Sequence, residues 1–218
     1  MKGTLMAKKK QLPEEVAHSE AYVKDFFDMA VPSAIRFNVD HFICGDSYRS
    51  VWAIREYPPQ TSDQALLARF GDKEAVTVHL YTRLVDGVEQ RKILQNASRK
   101  NKLLANSNDL EDSVTGEGNL GDVVELLGEL RKNREPLLHC AVFIELSAGN
   151  LDKLRELQSD VSMEMTREKI SVDHLSMRQK EGFIACMPCG YNIFGTQYER
   201  VLPASAVANL FPFNYSGK

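Results

Sequence analysis

Apolar and polar positions alternate at Ile35, Phe37 and Val39, and a second apolar run spans Val51 to Ile54 beyond Gly45-Asp46. Residues two apart share one face of a strand, so extended runs on either side of a Gly-Asp pair predict a β-hairpin. Pro58 and Pro59 close the second strand, because proline cannot donate to a ladder. Upstream, "EEVAHSEAYVKDFFDMAVP" gathers Val16, Tyr22, Val23, Phe26 and Phe27 on the apolar side of a predicted helix that ends before Pro32. Downstream, "TSDQALLARFGD" reads as a short helix with Thr61 or Ser62 as N-cap and Gly71 as stop. Val76, Val78 and Leu80 then alternate with Thr77, His79 and Tyr81 in a third strand. His79 falls on the face opposite Val78 and Leu80, where exposed or half-buried packing is expected rather than ligation.

The pattern then changes period. Ile93, Leu94, Ala97 and Leu104 recur at helical spacing within a polar, basic stretch over 86–105, and "NSNDLEDSVTGEGNLG" reads as a loop or frayed break. Leu120, Val123, Val124, Leu127 and Leu130 form one stripe of an amphipathic helix over "LGDVVELLGELRKN", closed by Pro136. "PLLHCAVFIEL" is the most hydrophobic run and predicts a central strand. A helix capped by Asn150 follows, with Leu151, Leu154, Leu157 and Val161 on one face, and then a short strand at "KISVD". "SMRQKEGFIACMP" reads as a helix ended by Pro188 and Gly190, and the remaining tail carries one short helix over Ala204 to Phe211. Direct hairpins argue against a doubly wound parallel sheet. The expected class is α+β: an antiparallel or mixed sheet with helices packed on it and ferredoxin-like β-α-β elements. The expected organisation is an N-terminal tail and helix (1–32), an α+β domain (33–190) and a connector (191–218).

Composition narrows the function classes. The 218 residues are 43% hydrophobic and 26% charged, an ordinary globular mixture long enough for a sizeable core. With 27 basic against 30 acidic side chains the net charge is −3, so no global field recruits nucleic acid or anionic lipid. The lysines of "AKKKQ" read as a solvated tail. Arg91, Lys92, Arg99, Lys100 and Lys102 read as a solvated helix face, without the interleaved aromatics that stack bases. No apolar stretch reaches the roughly 18 residues of a membrane span, and "MKGTLMAKKK" has no signal-peptide pattern. Cys44, Cys140, Cys186 and Cys189 are too sparse for a disulfide scaffold, which fits reduced thiols in the cytosol.

Candidate chemistry centres on "FIACMPCG", a C-x-x-C formed by Cys186 and Cys189. A redox pair sits at a helix N-terminus, where the dipole lowers the thiol pKa; this pair falls at a predicted helix C-terminus, which does the opposite. A structural zinc site needs four ligands, usually two close pairs, and no second pair is present. His139 and Cys140 are adjacent in a strand and point to opposite faces, leaving only Cys44 or His174 to complete a scattered site. The expectation is a turn of small residues with no stoichiometric zinc. The closing "YSGK" is not a phosphate loop, since the upstream glycine and the following Ser or Thr are missing. No nucleophile elbow, zincin helix or dinucleotide fingerprint occurs either. Catalytic, cofactor-binding and metal-binding residues are all expected to be absent from this chain.

The order of several weak motifs carries more. "ERVLPASAVANLFPF", preceded by "FIACMPCGYN" and by the β-α-β block that begins "PLLHCAVFIELSAGNLDKLRELQ", resembles the N-terminal domain of the large cytoplasmic ATPase of type IV secretion and conjugation systems, of the VirB, TraC, TrbE and CagE types. Pro188 and Gly190 stand at the family's turn, with Cys189 at a variable position between them. Arg200, Leu202, Pro203, Pro212 and Phe213 match its connector, and the early hairpin "VDHFICGDSYRSVWAIREYP" matches its first strands. The resemblance spans roughly residues 33–213 and is nearest to versions carried by Gram-positive conjugative elements.

That resemblance implies a non-catalytic assembly and docking domain serving DNA transfer between bacteria. Its partners would be inner-membrane channel components, with self-association of the full-length protein and no specific nucleic-acid binding. Its place would be the cytoplasm, peripheral to the inner face of the membrane. ATP and Mg would belong to a downstream domain that carries the Walker motifs. Two alternatives stay open at this level: a free-standing protein-interaction domain, and a metal or thiol module built on Cys186 and Cys189.

Overall fold

The computed structural model describes residues 32, 34–58, 67, 70, 73–105, 135–188 and 191–210. The helix expected before Pro32, the helix over 120–133 with Leu127 and Leu130, Cys189, Gly190, Pro212 and Phe213 lie outside the described residues. The short helix expected over 61–71 is described only at Leu67 and Phe70.

Among the described residues, seven antiparallel-paired strands build one sheet: β1 (Ile35–Phe37), β2 (Phe42–Cys44), β3 (Ser47–Glu56), β4 (Val76–Leu84), β5 (Leu137–Ala148), β6 (Ser171–Asp173) and β7 (Arg200–Pro203). The helices are α1 (Gly87–Ala105), α2 (Leu151–Arg167), α3 (Gln179–Cys186) and α4 (Ala204–Asn209). The Gly-Asp hairpin forms between β2 and β3, where Cys44 pairs with Ser47 and Gly45 takes φ +58, a left-handed value that glycine adopts at little cost. The first extended run is interrupted, however. A turn closed by Asn38 N–H on the His41 carbonyl separates β1 from β2.

Pairing runs β6-β3-β5-β4 through the centre. β3 and β4 both lie antiparallel to β5, and β5 and β6 both lie antiparallel to β3. Each of those pairs is therefore parallel, with one strand inserted between its members. That is the strand order of a ferredoxin-like βαββαβ unit. The crossover from β5 to β6 is α2. Asn150 caps it, accepting the Lys153 amide at 2.8 Å on Oδ1.

β5 alternates between two cores. Cys140, Val142, Ile144 and Leu146 pack with Leu154, Val161 and Met165 of α2 and with Leu67 and Phe70. Ala141 and Phe143 face the other way, against Ala185 and Cys186 of α3, Phe194 and Tyr198. A strand covered on both faces has no solvent side to keep polar, which explains the unbroken apolar run over 140–144 at its centre.

Residues 191–210, expected as a connector, join this unit. β7 pairs with β5 through Leu137↔Pro203 to Cys140↔Arg200, along the edge that β3 occupies further on. Val207 and Leu210 are buried in the α2-side core. The stretch expected as a helix from residue 176 begins at Gln179, because Leu175 and Met177 take φ 50 and φ 63, outside any right-handed helix.

Candidate functional site

The sheet face beneath α3 carries the chain's polar chemistry. Strand alternation sends Arg49 from β3, His79 from β4 and Glu145 from β5 to this face. Register brings them together: Thr77 stands opposite Glu145 and His79 opposite Phe143, so His79 reaches Glu145 on the diagonal. Arg49 donates to Oε1 of Glu145 at 2.9 Å. Nε2 of His79 lies 3.4 Å from Oε2, too poorly aligned to hydrogen-bond, and this buried nitrogen has no other partner. α3 closes the site from above. Its last residue is Cys186, and a ring nitrogen of His79, a carboxylate oxygen of Glu145 and Sγ of Cys186 lie within 4.8 Å of one another.

The electrostatics of these groups differ. Burial alone would raise the Glu145 pKa, but the His79 imidazole and the Arg49 guanidinium outweigh it and hold the carboxyl below its ordinary range. Burial pushes the Cys186 thiol up, and the nearby Glu145 carboxylate adds to the shift. With no other group bound, burial favours the protonated Cys186 thiol, so the redox reading that the helix C-terminus already disfavours gains nothing from this geometry. Cys186 does fall at a helix C-terminus, as expected, and Met187 after it is extended.

Further along the same face, towards the start of β5, lies a second polar group around a cavity of about 290 Å³ lined by Tyr81, Thr82, Arg83, His139, Asn192 and Glu199. His139 is buried there, with Nε2 2.9 Å from Glu89 of α1 and Nδ1 3.6 Å from Glu199. Arg83 reaches Glu199 at 3.2 Å. Two acids against one arginine and one imidazole leave no net charge pattern that selects a ligand. The group ties α1 and the segment before β7 to the sheet.

The remaining expected positions are dispersed. Cys140 faces the α2 side, away from His139, as strand geometry requires. His174 stacks on Trp52 with ring centroids 4.2 Å apart, and Cys44 ends β2, between β1 and β3. Arg91, Lys92, Arg99 and Lys100 are exposed on α1. What sequence reasoning missed is the His79–Glu145–Cys186 juxtaposition. It depends on strand register and on α3 crossing the sheet, and no local spacing encodes either.

No family model matches this chain, and no curated protein matches it. The likeness to conjugation ATPases therefore rests on the quoted motifs. Among the described residues, no helix is long and apolar enough to cross a membrane.

Proposed function

We propose that this chain is a non-catalytic assembly and docking domain of a conjugative-transfer ATPase, cytoplasmic and peripheral to the inner face of the cell membrane. One observation carries the reading. The blocks that resemble that family all meet in a single sheet: the β2-β3 hairpin, β5-α2-β6 and β7 supply strands to it, and α3 packs on its face. The connector residues Arg200, Leu202 and Pro203 are part of that sheet, and the Ala204 amide bonds to the Pro136 carbonyl at 3.1 Å. An attachment segment fixed in this way would transmit forces or orientation from a motor domain to a docked channel, where a loose linker would not.

The coding sequence beyond Lys218 provides the direct test. The reading requires a G-x-x-x-x-G-K-[ST] motif downstream, and a two-hybrid signal with an inner-membrane channel subunit of the same element. A reading frame that stops after Lys218 and stands apart from transfer genes would overturn it in favour of a free-standing interaction domain. The chain by itself is expected not to bind ATP, since its sequence has no glycine-rich loop of backbone amides for the phosphates. Saturable micromolar binding in calorimetry would contradict that.

A further inference from the structure

We propose that His79, Glu145 and Cys186 form a binding site for a single thiophilic divalent cation of the zinc class. The sequence expectation was the reverse, because it sought ligands in close pairs along the chain. The donor set suits this cation: an imidazole nitrogen, a carboxylate oxygen and a thiolate are the groups that zinc accepts.

Geometry supports it. At ordinary zinc bond lengths, tetrahedral ligand atoms stand about 3.3–3.6 Å apart. Nε2 of His79 and Oε2 of Glu145 are already 3.4 Å apart. No pair in the set exceeds 4.8 Å, so the thiol closes the site through a small side-chain rotation. The residues come from two strands of the sheet and the end of a helix packed on it, which are rigid supports.

An unmet polar group points to the same spot. Glu145 has 12% side-chain exposure, and Arg49 satisfies only Oε1. Oε2 faces the Nε2 of His79, which is buried without a hydrogen bond. A buried polar nitrogen without a partner is costly, so a cation shared with the Glu145 carboxylate would answer that deficit. The C-terminal end of α3 adds partial negative charge above the site, which also favours a cation.

The charge balance closes. On binding, the Cys186 S–H bond breaks and its proton leaves to solvent. Thiolate, carboxylate and neutral imidazole each donate a lone pair to the metal, and no electron is transferred. Two anionic ligands neutralise the dication, while Arg49 keeps its bond to Oε1 and orients the carboxylate from behind. Water fills the fourth position.

The test uses tag-free, metal-stripped full chain titrated with Co²⁺ and then with Zn²⁺. One equivalent of cobalt should give tetrahedral visible bands and a near-ultraviolet thiolate-to-cobalt charge-transfer band, both lost when zinc displaces it. Cys186→Ser should abolish the charge-transfer band. His79→Gln and Glu145→Gln should each weaken binding at least about tenfold while leaving the circular dichroism unchanged. A cobalt spectrum without the thiolate band, or a band that survives in Cys186→Ser, overturns the proposal. Should Cys186→Ser not fold, unchanged cobalt affinity in His79→Gln does the same. Cobalt binding does not depend on the docking reading, so the two fall separately.

Discussion

At the scale of single residues, Gln179 does what no neighbouring residue type predicts. It is 1% exposed, at the first position of α3. Its Oε1 accepts the Val51 amide at 2.9 Å, and its Nε2 donates to the Val51 carbonyl at 3.0 Å and the His174 carbonyl at 2.8 Å. The reason lies in the sheet. Along that edge of β3, β2 pairs with residues 47–49 and β6 begins at Ala53, so Val51 falls in the gap. The glutamine amide stands in for the missing strand. Gln179→Leu leaves both Val51 groups buried and unpaired, a loss of about 2–4 kcal/mol, which a urea melt of the variant should show as a clearly lower midpoint. An unchanged midpoint would mean that water takes the amide's place. Gly182, one turn on, is tested by its sign. Alanine in a helix normally gains about 0.5–1 kcal/mol over glycine. Here an added Cβ would sit 2.9 Å from Cβ of Val51 and 3.2 Å from Leu175 Cδ1, so Gly182→Ala should destabilise by about 1–3 kcal/mol.

At the scale of elements, legibility followed locality. β4 and α2 announce themselves by runs of period 2 and 3.6 and β5 by a continuous apolar run, and the α2 stripe of Leu151, Leu154, Leu157 and Val161 packs as its spacing requires. The Asn150 cap was legible for the same reason, being an interaction over three residues. Asn150→Ala should cost about 1 kcal/mol in the same melts, and no loss would mean that Asp152 or solvent satisfies the first turn equally well. β7 left no local trace. It has four half-buried residues, and its partner lies some sixty residues upstream, so only the tertiary pairing with β5 makes it a strand. The start of α3 was missed because Met177 is left-handed, a conformation that methionine's side chain does nothing to advertise. The candidate site was illegible for both reasons together. Cys186 was visible as half of a C-x-x-C, but His79 read as half-buried strand packing. Glu145 becomes its neighbour only through the β4–β5 register and the closure of α3.

At the scale of the whole molecule, the two cores share a vulnerability to alkali. On the α2 side, burial raises the Tyr57 hydroxyl, helped by the neighbouring Cys140, and pushes the Cys140 thiol up to about 11 from its ordinary 9.0. On the α3 side, burial raises the Cys186 thiol, and burial together with the hydrogen bond to Asp173 pushes Tyr198 up to about 12 from 10.0. All four shifts have one sign. The folded chain holds protons that the unfolded chain releases first, so the unfolded state binds fewer protons and stability falls as pH rises. Their contribution is fully present below about pH 9, the ordinary thiol value, and is lost progressively towards about 12. Urea midpoints measured in chelator should therefore be insensitive to these groups near neutrality and drop between about pH 9 and 11. Tyr198→Phe separates this cause from general charge repulsion. The variant loses the 2.7 Å bond to Asp173 and starts from a lower midpoint at neutral pH, but it has one fewer raised group to ionise. Its midpoint should fall less steeply with pH than that of the wild type. An equal or steeper fall in Tyr198→Phe would place the alkaline sensitivity elsewhere, in the net charge of −3 growing more negative as the lysines lose their protons.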